Sequence, residues 1–550
     1  MKYVCRFSLL VIIVLSLVCS VAAQDAKVSS SSRIMISAHP LAAKAGLAVY
    51  RRGGNVVDVA VAVAYALGVV EPHGSGIGGE GMMLIYDAKR KKATVVDFKG
   101  ISPKAASNRT LDLEKKSEWA RSAKGASIPG AVAGLELARA QFGKLDRATV
   151  LQPAIDYAIK GFEVDSTLAL NLESYRRILE KDPYTKSIYY PGGQVPKVGT
   201  LVKNPEYGKT LTQIQGGGVD AFYGGDIAER MVRDMRKRGG FFTKEDLLAY
   251  KPIIREALIG HYRGYDIITT PPPCGGMLLL EALNILKQFD LKECRKNDEY
   301  NLHLFAEVFK LVFKDEQTHN GDPEFSKIPV KEVMSDEFAF QRFLKINLAH
   351  AAEEQHIEAG ALDNKNTTQL CVMDVEGNAV SLTITLSSLF GTGQTVEGGG
   401  FILNNEMQNF NPDPNHHNSL QPHKRVVTSL VPTIIAKDGR PMFVIGTPGG
   451  DLIISTIAQI IIDLVDFEMP LPEAIYAPRM FSIFTQRELE IEGGYREKSY
   501  RLLGTLGHEV KRYEGMRAYF GAVQSIMFDA RSNKLIGCSD PRRSGAAIGE

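Results

Sequence analysis

The sequence predicts a mixed α/β fold in which layers of helices pack on β-sheets. Two observations lead to this prediction. Apolar stretches long enough for buried helices occur in both halves of the chain, and short strand-like segments bounded by turn residues lie between them. Helices and strands are therefore mixed along the whole 550 residues.

The first half of the chain contributes most of the predicted helices. Residues 56–67 are small and apolar and follow Gly53-Gly54-Asn55, so they predict a buried helix. Residues 82–86 and 93–98 are apolar runs on either side of the turn residues 87–90, and they predict a hairpin. Helical periodicity also occurs in residues 127–182, 226–250 and 302–313.

The pattern changes at Thr367. Residues 367–373 and 379–385 alternate β-branched and apolar side chains around a tight turn at 374–378, which predicts a second hairpin. Two further strands, and a helix that follows Gly449-Gly450, are predicted at residues 433–436, 442–445 and 453–465.

The composition is that of an ordinary globular protein, with 44% apolar and 23% charged residues. It excludes a disordered, collagen-like or disulfide-dense chain. Residues 1–23 contain Lys2 and Arg6 and no acid, so without them Lys and Arg fall from 65 to 63 and equal the 63 Asp and Glu. A neutral chain with no basic run lacks the electrostatic footprint of a nucleic-acid partner.

Residues 1–23 have the layout of a secretory signal peptide. A charged start is followed by an apolar run at 7–18 and by small residues that end at Ala23. A membrane anchor is the alternative, but the run is short for a span of ~20 residues. We expect cleavage before Gln24 and a secreted or periplasmic protein with no stable membrane span.

No spacing in the chain predicts a metal or cofactor site. Residues 74–81 fit the glycine pattern of a dinucleotide site, but they follow a predicted helix and precede a strand, which reverses the required order. We expect these glycines to allow close backbone packing. The i, i+4 pair His303 and Glu307 and the adjacent His416-His417 have no further ligands at metal spacing, and His303 is expected to be a satisfied, half-buried side chain.

Asn366-Thr367 is the strongest candidate for chemistry. The polar residues 350–366, expected to be flexible and exposed, run directly into the predicted strand that begins at Thr367. A threonine hydroxyl becomes nucleophilic when its own α-amine serves as the base, which requires that threonine to become a chain N-terminus. Self-cleavage before Thr367 would create that arrangement.

Several motifs, spread over nearly the whole chain, occur in the order seen in one enzyme family. They are Gly53-Gly54-Asn55, 70–81, 128–134, 221–223, 272–276, Thr367-Thr368, 403–407, 447–450 and 539–542. On these motifs the chain resembles the γ-glutamyltranspeptidases, which are N-terminal-nucleophile (Ntn) hydrolases.

The resemblance implies a fold, two subunits and a reaction. The fold would be a four-layer αββα sandwich, assembled from a large subunit (24–366) and a small subunit (367–550) of one precursor. Thr367 would form an acyl-enzyme with γ-glutamyl amides such as glutathione and pass the acyl group to water or to an amine. Thr385 would hydrogen-bond to the nucleophile, and the N–H groups of Gly449 and Gly450 would hold the oxyanion. The resemblance implies no metal and no cofactor.

The residues that would bind the glutamyl head depart from the family pattern. Lys99 stands where an Arg binds the α-carboxylate, Ser387 where an Asn is usual, and Asn409 where an Asp contacts the ammonium. Glu406 and the hydroxyl pair Thr428-Ser429 are retained. Two alternatives stay open: a related acylase with a glutaryl or cephalosporin-type acyl preference, and an uncleaved homologue without catalytic activity.

Overall fold

The computed structural model describes residues 26–294, 298–352 and 365–550. The predicted signal peptide, residues 1–23, lies outside the described residues, as does most of the polar segment 350–366. The strands are β1 (Lys27–Ser30), β2 (Arg33–Ser37), β3 (Glu80–Asp87), β4 (Lys92–Asp97), β5 (Phe162–Glu163), β6 (Leu201–Val202), β7 (Ile253–Glu256), β8 (Leu258–Tyr262), β9 (Tyr265–Thr269), β10 (Lys365–Asp374), β11 (Ala379–Ser388), β12 (Thr433–Lys437), β13 (Arg440–Gly446), β14 (Met480–Phe481), β15 (Glu488–Glu492), β16 (Glu509–Tyr513), β17 (Gln524–Asp529), β18 (Lys534–Ser539) and β19 (Ala546–Gly549).

The helices surround these strands and are most numerous before β10. They are α1 (Pro40–Tyr50), α2 (Val56–Val70), α3 (Lys116–Trp119), α4 (Ala131–Phe142), α5 (Arg147–Lys160), α6 (Ser166–Leu179), α7 (Pro183–Tyr189), α8 (Pro205–Tyr223), α9 (Asp226–Arg238), α10 (Lys244–Ala249), α11 (Gly276–Leu286), α12 (Leu291–Cys294), α13 (Asp298–His319), α14 (Val330–Val333), α15 (Asp336–Phe343), α16 (Leu452–Val465), α17 (Leu471–Tyr476) and α18 (Glu497–Thr505). No helix in the described ranges is both long enough and apolar enough to cross a membrane.

Two seven-stranded antiparallel sheets form the centre of the molecule. Sheet one has the order β19-β2-β10-β11-β3-β4-β7, and sheet two has the order β1-β18-β17-β13-β12-β9-β8. Strands from before and after residue 366 lie side by side in both sheets. The two predicted subunits would therefore share each sheet.

The pleat of β10 shows how the layers stack. Leu370 and Val372 point into a core that contains α1 and α2, whereas Cys371 and Met373 point into the core shared with sheet two. On the far side of sheet two, α11 and α16 pack against the same second core. The order is helix, sheet, sheet, helix, so the predicted four-layer αββα architecture is confirmed.

Most predicted elements are present with slightly wider bounds. The buried helix predicted at 56–67 is α2, and every residue of it is buried. Asn55 begins this helix with a capping box, because its side chain accepts from the Asp58 N–H while the Asp58 carboxylate accepts from the Asn55 N–H. Both predicted hairpins are formed, by β3-β4 and by β10-β11.

Candidate active site

Thr367 lies near the start of β10, opposite a bulge in β11. The register between the two strands shifts by one residue between Asn366 and Thr368, so Thr385 and Leu386 together stand opposite Thr367. A bulge re-aims the side chains beside it and is common next to active sites.

The hydroxyl groups of Thr367 and Thr385 point toward each other in a buried setting. The two Oγ1 atoms lie 3.5 Å apart, and the residues are 3% and 2% exposed. Thr385 Oγ1 also accepts a hydrogen bond of 2.8 Å from the N–H of Ser387, which fixes its orientation. The structure thus brings the two threonines together, as the resemblance implies.

Gly449 and Gly450 lie in the loop between β13 and the start of α16. Their φ angles are 141° and 59°, both in the region that favours glycine. The preceding strand packs closely on β10, because a Cβ on Gly446 would collide with the Gln369 side chain. This contact brings the end of β13, three residues before Gly449, against Gln369, which is two residues after Thr367.

Buried polar contacts hold the glycine loop from behind. Thr447 Oγ1 accepts from the N–H of Ala522 at 2.9 Å. The next residue, Val523, donates its N–H to Asp540 at 2.9 Å, and Asp540 forms a fully buried ion pair with Arg479 at 2.6 Å. These contacts connect the start of the loop that carries Gly449 and Gly450 to a buried network of polar groups.

Lys99 is buried and ion-paired within the protein. Its Nζ donates to Glu80 Oε1 at 2.6 Å and to Thr428 Oγ1 at 2.8 Å, and neither Lys99 nor Glu80 is exposed. Burial alone would lower the pKa of Lys99, but the carboxylates of Glu80 and Glu406 outweigh it, so the pKa is raised. Glu80 was not among the predicted site residues, although it lies within the glycine-rich stretch 74–81.

The other predicted head-group residues form two small clusters. Asn409 Nδ2 bridges Ser387 Oγ at 3.0 Å and Glu406 Oε2 at 2.8 Å. Thr428 contacts Lys99, and Ser429 Oγ donates to Asp451 at 3.3 Å. Glu80 pairs with Thr385 across β3 and β11, so the Lys99 cluster lies beside Thr385, and β11 separates its strand from the β10 strand of Thr367.

A further buried carboxyl group, that of Glu71, contacts the residue after Thr367. Glu71 Oε2 accepts a hydrogen bond of 2.7 Å from the hydroxyl of Thr368. Burial raises the pKa of Glu71 to about 7, although Thr368 and then Arg543 oppose the shift. The sequence does not reveal this pair, because its members are 297 residues apart.

The glycines of residues 74–81 allow close backbone packing, as predicted. A Cβ on Gly78 would collide with the carbonyl of Ile402, and one on Gly79 with the carbonyl of Thr385. A Cβ on Gly74 would collide with the Thr368 hydroxyl. These glycines therefore let the backbone pack closely against Thr385 on β11 and against Thr368 on β10.

His303 differs from its prediction in two respects. It is fully buried rather than half-buried, and it has a neighbour that is distant in sequence, because its Nδ1 lies 2.7 Å from His508 Nε2. With Glu307 these side chains bring three possible metal ligands within 4.8 Å of one another. Glu307 already accepts from Lys310 at 3.0 Å and from the N–H of Ala352 at 3.0 Å, so these contacts occupy both of its oxygens.

The family is decided by a match that covers most of the chain. The family model described as gamma-glutamyltranspeptidase matches residues 42–550. This chain belongs to the γ-glutamyltranspeptidase family. The motif-based resemblance is therefore confirmed.

Similar proteins of the γ-glutamyltranspeptidase family have different names. The glutathione hydrolase proenzyme of Escherichia coli (strain K12) is 35% identical over 536 residues, which cover 94% of this chain and 91% of that protein. The acylase ACY 1 proenzyme of Pseudomonas sp. (strain SE83) is 34% identical over 535 residues, 95% of each chain. Both names describe proteins made as precursors.

A solved structure matches the whole γ-glutamyltranspeptidase-type fold. It is the cephalosporin acylase from Bacillus halodurans, with a TM-score of 0.85 and 28% identity, and the match covers 95% of this chain and 97% of that one. The fold of this chain is therefore similar over its whole length to that of a solved acylase.

Proposed function

We propose that this chain is the precursor of an acyl-transferring hydrolase, which cleaves itself between Asn366 and Thr367 and then acts on γ-glutamyl amides, including glutathione-like peptides. The observation that carries the proposal is the buried Thr367 hydroxyl, 3.5 Å from that of Thr385 at a strand bulge. Family membership supports it.

Maturation converts one amide bond into two chain ends. Thr367 Oγ1 adds to the carbonyl carbon of Asn366, the C–N bond breaks and the nitrogen gains a proton, so that an ester replaces the amide. Water then hydrolyses the ester. The products are a large subunit, 24–366, with a new carboxylate and a small subunit, 367–550, whose first residue carries the α-amine needed as a base.

During turnover, the new amine first accepts a proton and then donates it. It takes the proton of Thr367 Oγ1 as this oxygen attacks the amide carbon, and it returns the proton to the departing amine. The N–H groups of Gly449 and Gly450 stabilise the oxyanion, and Thr385 orients the nucleophile. Water or an acceptor amine then attacks the acyl ester and restores the hydroxyl.

The two polar clusters beside Thr367 would bind the donor's head. Ser387, Glu406 and Asn409 offer oxygen atoms to its ammonium group. The hydroxyls of Thr428 and Ser429 lie where the resemblance puts the α-carboxylate, with Lys99 behind them.

An acylase with the same threonine chemistry is the second candidate. Similarity over whole chains to ACY 1 and to the cephalosporin acylase structure favours it. Release of 4-nitroaniline from γ-glutamyl and from glutaryl 4-nitroanilide separates the two candidates, because the glutaryl group lacks only the ammonium.

Expression of the full chain, followed by N-terminal sequencing of the product, tests the proposal. We expect two fragments, the smaller beginning at Thr367. We also propose export, on the pattern of residues 1–23, and then the larger fragment begins at Gln24. A single uncleaved band would support the third alternative, a homologue without activity, and a small fragment that begins elsewhere would refute the mechanism.

A further inference from the structure

The charges of the predicted head-group residues and their direct partners do not match those of a γ-glutamyl head. That head carries one ammonium and one carboxylate, so a matching site would offer one carboxylate and one cation that are both available to it. The described head-group clusters instead include two buried carboxylates, Glu80 and Glu406, and one buried cation, Lys99. Glu71 contacts Thr368 instead, and Arg543 contacts the Thr367 carbonyl.

Glu80 occupies the cation. Its Oε1 accepts from Lys99 Nζ at 2.6 Å and its Oε2 accepts from the N–H of Gly100 at 2.6 Å. Because both oxygens accept hydrogen bonds, Glu80 acts as a carboxylate, and the charge of Lys99 is cancelled inside the protein. A second N–H of Lys99 is directed at Thr428 Oγ1, and the side chain has no exposed surface.

Glu406 carries the negative charge that is left once Glu80 and Lys99 neutralise each other. It is 1% exposed, and it forms no ion pair with any described residue. Its Oε2 accepts from the amide of Asn409, and the short 3-10 turn Glu406–Asn409 is anchored on β11, since Asn405 N donates to Leu386 O at 3.0 Å. Lys99 is near enough for Glu406 to raise its pKa, but it is ion-paired with Glu80. A buried carboxylate without an ion-pair partner of its own favours a cationic ligand.

We infer that the acyl site selects for the donor's ammonium group and not for its α-carboxylate. This inference rests on the proposed function and names its substrate class: amides of acyl groups that carry a cationic amine where the γ-glutamyl group has its own. The γ-glutamyl amides are accepted through that amine, and glutaryl groups are rejected.

The Glu406 carboxylate lies close enough to Glu80 to raise the pKa of Glu80, after the larger effect of burial. The ammonium of Lys99 and the N–H of Gly100 oppose that rise and favour the carboxylate form of Glu80. A bound ammonium would relieve the repulsion between the two carboxylates.

Three matched 4-nitroanilides test the inference at pH 7.5 on the matured protein, with Thr367→Ala protein as the blank. They are the γ-glutamyl donor, the 4-aminobutyryl donor without the carboxylate, and the glutaryl donor without the ammonium. We expect kcat/KM for the 4-aminobutyryl donor to lie within about fivefold of the γ-glutamyl value. The glutaryl donor should be at least about tenfold slower, the scale of one charge-assisted hydrogen bond.

Other rankings overturn the inference. The inference is wrong if kcat/KM for the 4-aminobutyryl donor falls by more than about fivefold, or if the glutaryl value lies within about tenfold of the γ-glutamyl value. It is also wrong if cleaved protein hydrolyses none of the donors. Each of these outcomes leaves self-cleavage intact. Protein that never cleaves would instead refute the proposed function, and the inference with it.

Glu80→Gln gives a second readout on the same donors. It keeps the shape of Glu80 but releases the charge of Lys99, so the γ-glutamyl to 4-aminobutyryl ratio should rise about tenfold. Glu136→Gln is the matched control, because Glu136 on α4 is also a buried acid, and it is paired with Arg139 of the same helix and with Arg147 of α5. The donor ratio of this control should not change. An unchanged ratio in Glu80→Gln would contradict the role of Glu80, and if that variant does not mature, the wild-type ranking decides.

Discussion

At the scale of single residues, the hydroxyl of Thr367 lacks a strong base among its described contacts. Its described side-chain partner is the hydroxyl of Thr385, at 3.5 Å, and that oxygen is itself held by the N–H of Ser387. A hydroxyl cannot deprotonate another at neutral pH, because their proton affinities are similar. The α-amine of Thr367 is the base that cleavage would add.

We therefore expect Thr367→Ala to remain a single chain without hydrolase activity. Alanine has no oxygen to attack the Asn366 carbonyl, so neither the ester nor the new amine can form. Thr367→Ser is the matched control, since it keeps the hydroxyl and should still cleave, at a different rate. Intact mass and a denaturing gel measure both, and a cleaved alanine variant would refute the nucleophile.

Glu71 makes stability depend on pH in a predictable direction. Its folded pKa of about 7 is above the usual 4.5, so between these values the folded chain holds a proton that the unfolded chain has lost. The free energy of unfolding therefore falls as pH rises through this window, by up to about 3 kcal/mol in total. Glu71→Gln, which stays neutral, should lose that decline and exceed the wild type at pH 8.

Urea unfolding of both proteins between pH 4.5 and 8 checks this expectation. Glu514→Gln, at an exposed acid, is the control and should leave the slope unchanged. Parallel pH profiles for wild type and Glu71→Gln would show that burial does not raise the pKa of Glu71.

At the scale of secondary-structure elements, the backbone conformation of the loop between β13 and α16 restricts which residue can stand at position 449. A Cβ on Gly449 would find room, because the nearest atom, Gly521 Cα, is 3.5 Å away. Its φ of 141° is nevertheless one that other residues rarely adopt. Conformation, rather than space, therefore requires glycine here.

Gly449→Ala should strain this loop by about 1–3 kcal/mol and turn the oxyanion N–H groups away. We expect kcat for a γ-glutamyl anilide to fall about a hundredfold, the scale of one lost oxyanion donor, with little change in KM. Gly216→Ala in α8 is the control, since a Cβ there meets nothing within 4 Å and its φ is ordinary. Unchanged kcat in Gly449→Ala would remove this loop from the oxyanion site.

Elements were easier to predict from the sequence than contacts between them. The β10-β11 hairpin and α2 follow from local alternation and apolar length, which need no knowledge of distant residues. The Glu80–Lys99 and Glu71–Thr368 pairs depend on how strands and loops meet in space, and His508 approaches His303 from 205 residues away. The candidate threonines and glycines were placed by motif resemblance, whereas their charged surroundings required the structure.

At the scale of the whole molecule, the two predicted subunits are interleaved. In sheet one, β10 and β11 of the small subunit lie between β2 and β3 of the large subunit, and in sheet two, β12 of the small subunit pairs with β9 of the large. Both cores contain residues from before and after position 366. Cleavage would break one covalent bond and none of these sheet contacts.

We expect the cleaved protein to stay a single particle that unfolds in a concentration-dependent way. Once the chain is cut, unfolding releases two fragments, so mass action raises the midpoint temperature as protein concentration rises. The uncut Thr367→Ala chain unfolds as one molecule, and its midpoint should not change with concentration. Size-exclusion chromatography and thermal scans over a hundredfold range of concentration measure both properties, each on protein that refolds on cooling. Fragments that separate without denaturant would show that the shared sheets do not hold the subunits together.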